Sequence, residues 1–309
     1  MFKKEDLRMN KVLRREKSIQ NIVLDVFIYV LLIAVVIVTL YPFWNIFVIS
    51  INDPVDAIRG GIYFWPREFS LKAYITVLTD SNFVNSIFVT VKRTLIGTPL
   101  AVLATSMFAY AMSRKNLIGR KFFSVAFVFT MYFGGGIVPY YMILKNIGLI
   151  DNFWVYIWPN IISVYNMILI RNYIQSLPND LFESAKIDGA NDIVIFFKMV
   201  IPLIKPILMT VTLFVAIMQW NSWFDSHIYT SSQNLKTLQA VIYQLLNKYD
   251  TKMMTSAAAR MSDAANKNVI TPDSIRMAST MISTIPIMLL YPFVQKHFVK
   301  GIMLGAVKE

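Results

Sequence analysis

The side chains in this sequence that could do chemistry gather in a few places, and the longest is a polar island. Glu183-Ser184-Ala185-Lys186-Ile187-Asp188-Gly189-Ala190 runs on to Met199-Val200-Ile201-Pro202 between two strongly apolar segments. Its grammar predicts two short helices and a turn. Pro178 fits a helix start, where its missing N–H costs nothing. Asp180 and Glu183 put negative charge in the first turn, which complements the helix dipole. Phe182, Ala185 and Gly189 fall on one face and predict a narrow groove beside a bulky neighbour. Gly189 closes the helix, and Asn191 or Asp192 can cap a second one through Ile193–Ile201. On residues alone, an amphipathic loop joining two apolar segments would read the same way.

A second group is Gln219, Trp220, Asn221 and Trp223, at the end of an apolar run. Aromatic faces beside amide donors suit a sugar, which has apolar ring faces and many hydroxyls. The same residues could equally end a helix at a membrane interface. Ser163 and Asn166 lie three residues apart on one helical face, beside Asn160 and Tyr165, and predict hydrogen bonding between helices. Lys92 and Arg93 stand at the outer end of an apolar segment, as do Lys145 and Arg276. Four cations on one rim would favour an anionic solute by focusing the field, although each alone could reach for lipid headgroups.

Much chemistry is excluded. There is no G-x-x-x-x-G-K-[ST], H-E-x-x-H or G-x-S-x-G. With no cysteine there is no disulfide or thiolate ligand, and His227 and His297, the only two histidines, are too few for a histidine metal site. Any intramembrane enzyme would lack a visible active site.

The elements that must position these groups are apolar spans. Of 309 residues 56% are hydrophobic and only 16% charged, with mean hydropathy +0.53. A soluble domain averages about 25% charged, so this is an integral membrane protein. The net charge of +12 then reflects basic cytoplasmic flanks rather than nucleic-acid binding. Six spans are expected: Val26–Ile49, Thr94–Met112 with an amphipathic lead-in from Asn82, Phe122–Leu144, about Phe153–Ile170, about Pro206–Phe224, and Met277–Val294 broken by Pro286 and Pro292. Tyr41-Pro42 predicts a kink in the first. Gly134-Gly135-Gly136 in the third calls for close packing or irregular backbone facing protein or water. Arg114, Lys115, Arg120 and Lys121 in one short loop place that loop in the cytoplasm. The expected organisation is an all-α, polytopic domain. Residues 1–25 form a basic cytoplasmic leader, too charged for a cleaved signal peptide, 26–299 hold the spans, and 300–309 are a cytoplasmic tail. Loops 50–80 and 226–275 are extracytoplasmic and 171–206 is cytoplasmic, so both termini lie inside.

Glu-Ser-Ala, three residues, Gly, nine residues, then Met-Val-Ile-Pro resembles the E-A-A…G…I-x-L-P signature of ABC importer permeases. Ser184, Met199 and Ile201 depart mildly from it. Tyr132-Phe133-Gly134-Gly135-Gly136-Ile137-Val138-Pro139, Arg171-Asn172-Tyr173, Glu183–Pro206 and the closing Phe298-Val299-Lys300-Gly301-Ile302-Met303-Leu304-Gly305 extend the likeness. Nearly the whole chain is similar to maltose-type carbohydrate-uptake permeases, and most of all to those for polysaccharide-derived oligosaccharides. The resemblance implies a type I importer fold in a bacterial cytoplasmic (inner) membrane. It implies a heterodimer with a second homologous permease, two cytoplasmic ATPase subunits and an extracytoplasmic solute-binding protein. ATP and Mg would be bound by the ATPase and no cofactor by this chain; lipid, not nucleic acid, surrounds it. Glu183, Ser184, Ala185, Asp188, Gly189, Ala190 and Pro202 would form the docking element. A secondary transporter would instead need intramembrane carboxylates for ion coupling, and the spans hold almost none. A structural assembly subunit would not need the docking signature.

Overall fold

A computed structural model describes residues 19–255, 271 and 273–289. The expectations for the leader up to residue 18, for 256–270 of the outer loop, for His297 and Pro292, and for the tail lie outside the described residues.

The described residues are helical, and the one strand-like pairing among them is an isolated bridge between Asn52 and Phe69. The first span is α1 (Ile19–Ser50), which begins inside the stretch assigned to the leader and runs unbroken through Pro42. Its apolar side chains are exposed almost throughout, and only its C-terminal end packs, through Val48 and Ser50. Nothing else among the described residues covers the rest of α1.

The loop that follows is ordered around buried polar groups. Asp53 caps α2 (Pro54–Ala57) by accepting from the Val55 N–H at 3.0 Å. The Asn52 side chain accepts from the Arg67 N–H at 2.8 Å and donates to Asp56 at 3.0 Å. The Asn52 amide, and the Arg67 guanidinium at 3.0 Å, hold the Asp56 carboxyl below its usual range against the opposing effect of burial. A short helix, α3 (Lys72–Thr79), completes the loop.

The second span, α4 (Ser81–Ser113), starts with an Asp80 cap and is the axis of the molecule. Gly97, Ala101, Thr105 and Ala109, four residues apart, are all buried. This small stripe lets α7 (Val164–Gln175) and α10 (Lys205–Asn221) approach closely. Ala101, Ala109 and Met112 of α4 share a core with Met167 and Ile170 of α7 and Val211 and Val215 of α10.

The third and fourth spans are not straight. α5 (Arg120–Tyr132) and α6 (Ile137–Asn146) meet at 115° across the glycine run. Gly136 takes φ +86°, a region that suits glycine, so the irregular-backbone form of Gly134–Gly136 is the one realised. Residues Phe153–Asn160 wind as two short 3₁₀ turns bent by 45° from α7. The docking stretch forms α8 (Asn179–Ile187) and α9 (Asp192–Leu203), and α9 turns by 84° into α10. Beyond it come α11 (Phe224–Tyr229), α12 (Leu238–Thr255) and α13 (273–289), which continues through Pro286. Two helices are each long and apolar enough to cross a membrane, and five spans result among the described residues if each bent pair counts as one. α13 is the described part of the expected sixth.

Candidate functional site

The turn between α8 and α9 follows from local chemistry. α8 starts directly after Pro178, which takes φ −58° and ψ 132° and so stands just before the first helical residue. At the other end Gly189 has φ +79°. Its N–H donates to the Lys186 carbonyl and the Ala190 N–H to the Ala185 carbonyl, both at 3.0 Å. These two bonds satisfy carbonyls that a helix end leaves open, and they require a left-handed residue between them. Asn191 then caps α9 by accepting from the Val194 N–H at 2.8 Å. Within α9, Ile195–Val200 widens to π-helical winding just ahead of Pro202, which lacks a donor.

Packing divides the stretch in two. Phe182 is buried, and Ala185 and Ala190 rest against the main core. Glu183, Ser184, Asp188, Gly189 and Pro202 are exposed, with Ile187 86% and Ile193 68% exposed. Nothing among the described residues lies within 4 Å of a Cβ placed at Gly189, so no neighbour within this structure requires the glycine. It serves the backbone turn instead. Asp192 ties α9 to α4, accepting from the Tyr110 hydroxyl at 3.0 Å, with the Arg114 guanidinium 3.7 Å away.

The surroundings of Arg93 differ most from expectation. Arg93 is 1% exposed and points inward rather than toward a rim. It donates to the Gln219 carbonyl oxygen at 2.6 Å and through both terminal nitrogens to Asp225, and its guanidinium lies 4.7 Å from the Tyr156 ring centroid. Gln219, also 1% exposed, is used up in this contact and is not open to a cargo. Asp225 accepts further bonds from the Ser222 hydroxyl and the Ser226 N–H. The Tyr156 hydroxyl donates to the Leu235 carbonyl at 2.6 Å. One buried polar cluster thereby joins α4, the 3₁₀ turns, α10 and α11. The guanidinium is neutralised where it stands, so the four-cation rim loses Arg93. Lys92 instead lies over the Phe153 ring, 4.6 Å from its centroid.

The remaining candidates separate. Trp220 packs inward and donates to the Ser283 carbonyl at 3.0 Å. Asn221 stays exposed and accepts from Gln239, while Trp223 stacks on Tyr243 with centroids 4.0 Å apart. Ser163 caps α7, its hydroxyl accepting from the Asn166 N–H, while its own backbone N–H donates to the Thr105 hydroxyl of α4 at 3.3 Å.

Among curated proteins, the chain is 35% identical over 289 residues to the polygalacturonan/rhamnogalacturonan transport system permease protein YtcP of Bacillus subtilis (strain 168), covering 94% of this chain and 99% of that one. The chain belongs to the permeases of carbohydrate-uptake ABC importers. Protein LplC of the same organism is 34% identical, covering 88% of this chain and 90% of that one. A chain of the solved bacterial ABC transporter involved in the import of the acidic polysaccharide alginate superposes with TM-score 0.81 at 30% identity, covering 91% of this chain and 98% of that one. No family model matches. As a permease of this family the chain is an integral membrane protein with a transport role, built on the importer permease fold.

Proposed function

We propose that this permease forms half of a translocation pore for oligosaccharides released from acidic polysaccharides, and that α8 and α9 carry the force of a separate ATPase into it. The observation that carries the coupling is the α8–α9 turn. It is a rigid, doubly hydrogen-bonded corner presenting exposed Glu183, Ile187 and Ile193 on a face whose other side is packed into the span core. A push on that corner is passed to α4 and α10 through Phe182 and the Asp192–Tyr110 bond.

The orientation that goes with this reading puts loop 171–206 and both termini in the cytoplasm. The partners are a second homologous permease against exposed faces such as that of α1, an ATPase pair under α8–α9, and a solute-binding protein over loops 50–80 and 226–275. ATP and Mg belong to the ATPase, because this sequence has no nucleotide motif. The acidic cargo is supported by what the relatives carry, not by a cationic rim. Exposed Asn221 and half-buried Trp223, with Tyr243 behind it, are the sugar-facing candidates.

Gly189→Val tests the coupling. A β-branched residue at φ +79° costs about 1–2 kcal/mol, enough to remodel the corner while leaving the spans intact. ATPase co-purification and sugar uptake should fall together. Uptake that persists without bound ATPase would overturn the proposal.

A further inference from the structure

Beside α8 lies a cavity of about 520 Å³ framed by four helix ends. Ser113 ends α4, Arg120 opens α5, Ile174 and Gln175 end α7, and α8 supplies Asn179 and Lys186. Arg114, Lys115, Arg120 and Lys186 line it together with a single carboxylate, Glu183. Among the described residues no ion pair joins Glu183 to any of these cations, and of the four only Arg114 forms one, with Asp192. The Arg114 guanidinium is held in place, 5.0 Å from the Phe182 ring centroid and 5.4 Å from that of Tyr110. Ile174 and Phe182, both buried, give the cavity an apolar floor.

Membrane orientation accounts for basic residues in the loop between α4 and α5. It does not account for Lys186, which comes from the docking helix and converges on the same concavity. We infer that this cavity binds the phosphate of an anionic phospholipid headgroup. Guanidinium forks take phosphate oxygens in pairs, and ammonium groups add point charge. A basic pocket between helix ends at the cytoplasmic boundary is where such headgroups settle. The apolar floor of Ile174 and Phe182 suits the glycerol beneath the phosphate.

The inference rests on the cytoplasmic placement of this loop in the proposed function, so the experiment reads lipid and ATPase separately. The importer, assembled with its ATPase, is placed in nanodiscs of phosphatidylcholine alone or of phosphatidylcholine with phosphatidylglycerol. Retained phosphatidylglycerol is counted by native mass spectrometry. The variant K115Q/R120Q spares Arg114, which packs against two rings, and Lys186, which stands on the docking helix. It should retain phosphatidylglycerol at least about tenfold less well, and Arg120→Gln alone about fivefold less well, with ATPase association unchanged. Equal retention by wild type and both variants would overturn the site. So would loss of the ATPase from the variants in pure phosphatidylcholine, which would give the cavity to the protein interface. Displacement of the lipid by inorganic phosphate at millimolar levels would overturn the lipid as source.

Discussion

Arg93→Met is the sharpest perturbation this structure offers. The guanidinium is 1% exposed and the Asp225 side chain 11%, so neither charge can retreat into water. Removing the arginine leaves the carboxylate with only the Ser222 hydroxyl and the Ser226 N–H, and Gln219 loses the donor to its carbonyl. Breaking one side of a buried pair costs about 3–5 kcal/mol, because the other charge stays buried and uncompensated. For larger domains roughly 2–4 °C accompanies each kcal/mol, so the midpoint should fall by roughly 6–20 °C. Asp225→Asn should cost at least as much, since the stranded group is then the more deeply buried one. R93M/D225L removes both charges and should recover most of the loss, as apolar replacement of a whole buried pair is often neutral. The assay is thermal unfolding of the purified protein in detergent, followed by tryptophan fluorescence. If either single variant unfolds within about 1 kcal/mol of wild type, the pair behaves as a surface bridge and the reasoning fails. A double variant no better than the singles would refute it equally.

Gly97→Ala should destabilise by about 1–3 kcal/mol, since its Cβ would stand 2.9 Å from the Gln219 amide nitrogen, on a side chain whose carbonyl oxygen is held by Arg93. Adding Gln219→Ala should return part of that loss in the same unfolding assay, and no rescue would mean that the clash is not its cause. The lowered Asp56 carboxyl contributes stability that is present above the unfolded pKa of about 3.9 and is lost as pH falls through the lower folded value. Hydrogen exchange across residues 52–69 should therefore quicken below about pH 4. In Asp56→Asn the segment should exchange fast already at neutral pH, with no acid step; matching profiles would mean that this carboxylate does not hold the loop. Asn221→Ala and Trp223→Ala should each raise the half-saturating sugar concentration about tenfold or less, with ATPase association intact. Unchanged uptake would remove them from the cargo path.

What could be read in advance was chemistry confined to a few neighbouring residues. Gly189 and Asn191 declare a helix end and a helix start through backbone freedom and capping, and the α8–α9 corner has that form. Span positions were legible because an unbroken apolar run of bilayer length is stable in few settings besides a membrane. Arg93 was not legible, because its partner stands 132 residues away and each looked like the polar end of its own span. Gln219 failed for the same reason: an amide at a helix end suits a sugar and a buried guanidinium equally well. Ser163 proves to be a cap, so its hydroxyl accepts from the Asn166 backbone N–H, and its link to α4 runs through its own N–H rather than its side chain. The glycine run marked irregular backbone, yet the 115° angle of the bend is not written in any local pattern.

The Arg93–Asp225 pair also bears on how the chain is made. α4 leaves the ribosome with its arginine 132 residues ahead of the carboxylate that neutralises it. At roughly 5–20 residues per second that gap lasts roughly 7–26 s. During this interval the newly inserted α4 carries an uncompensated arginine, which is costly within a bilayer and tolerable near its edge. Arg93 stands in the first half of α4 (Ser81–Ser113), and its charge stays uncompensated until α10 and α11 arrive. Only once both have been made can the guanidinium be neutralised where it stands in the finished bundle.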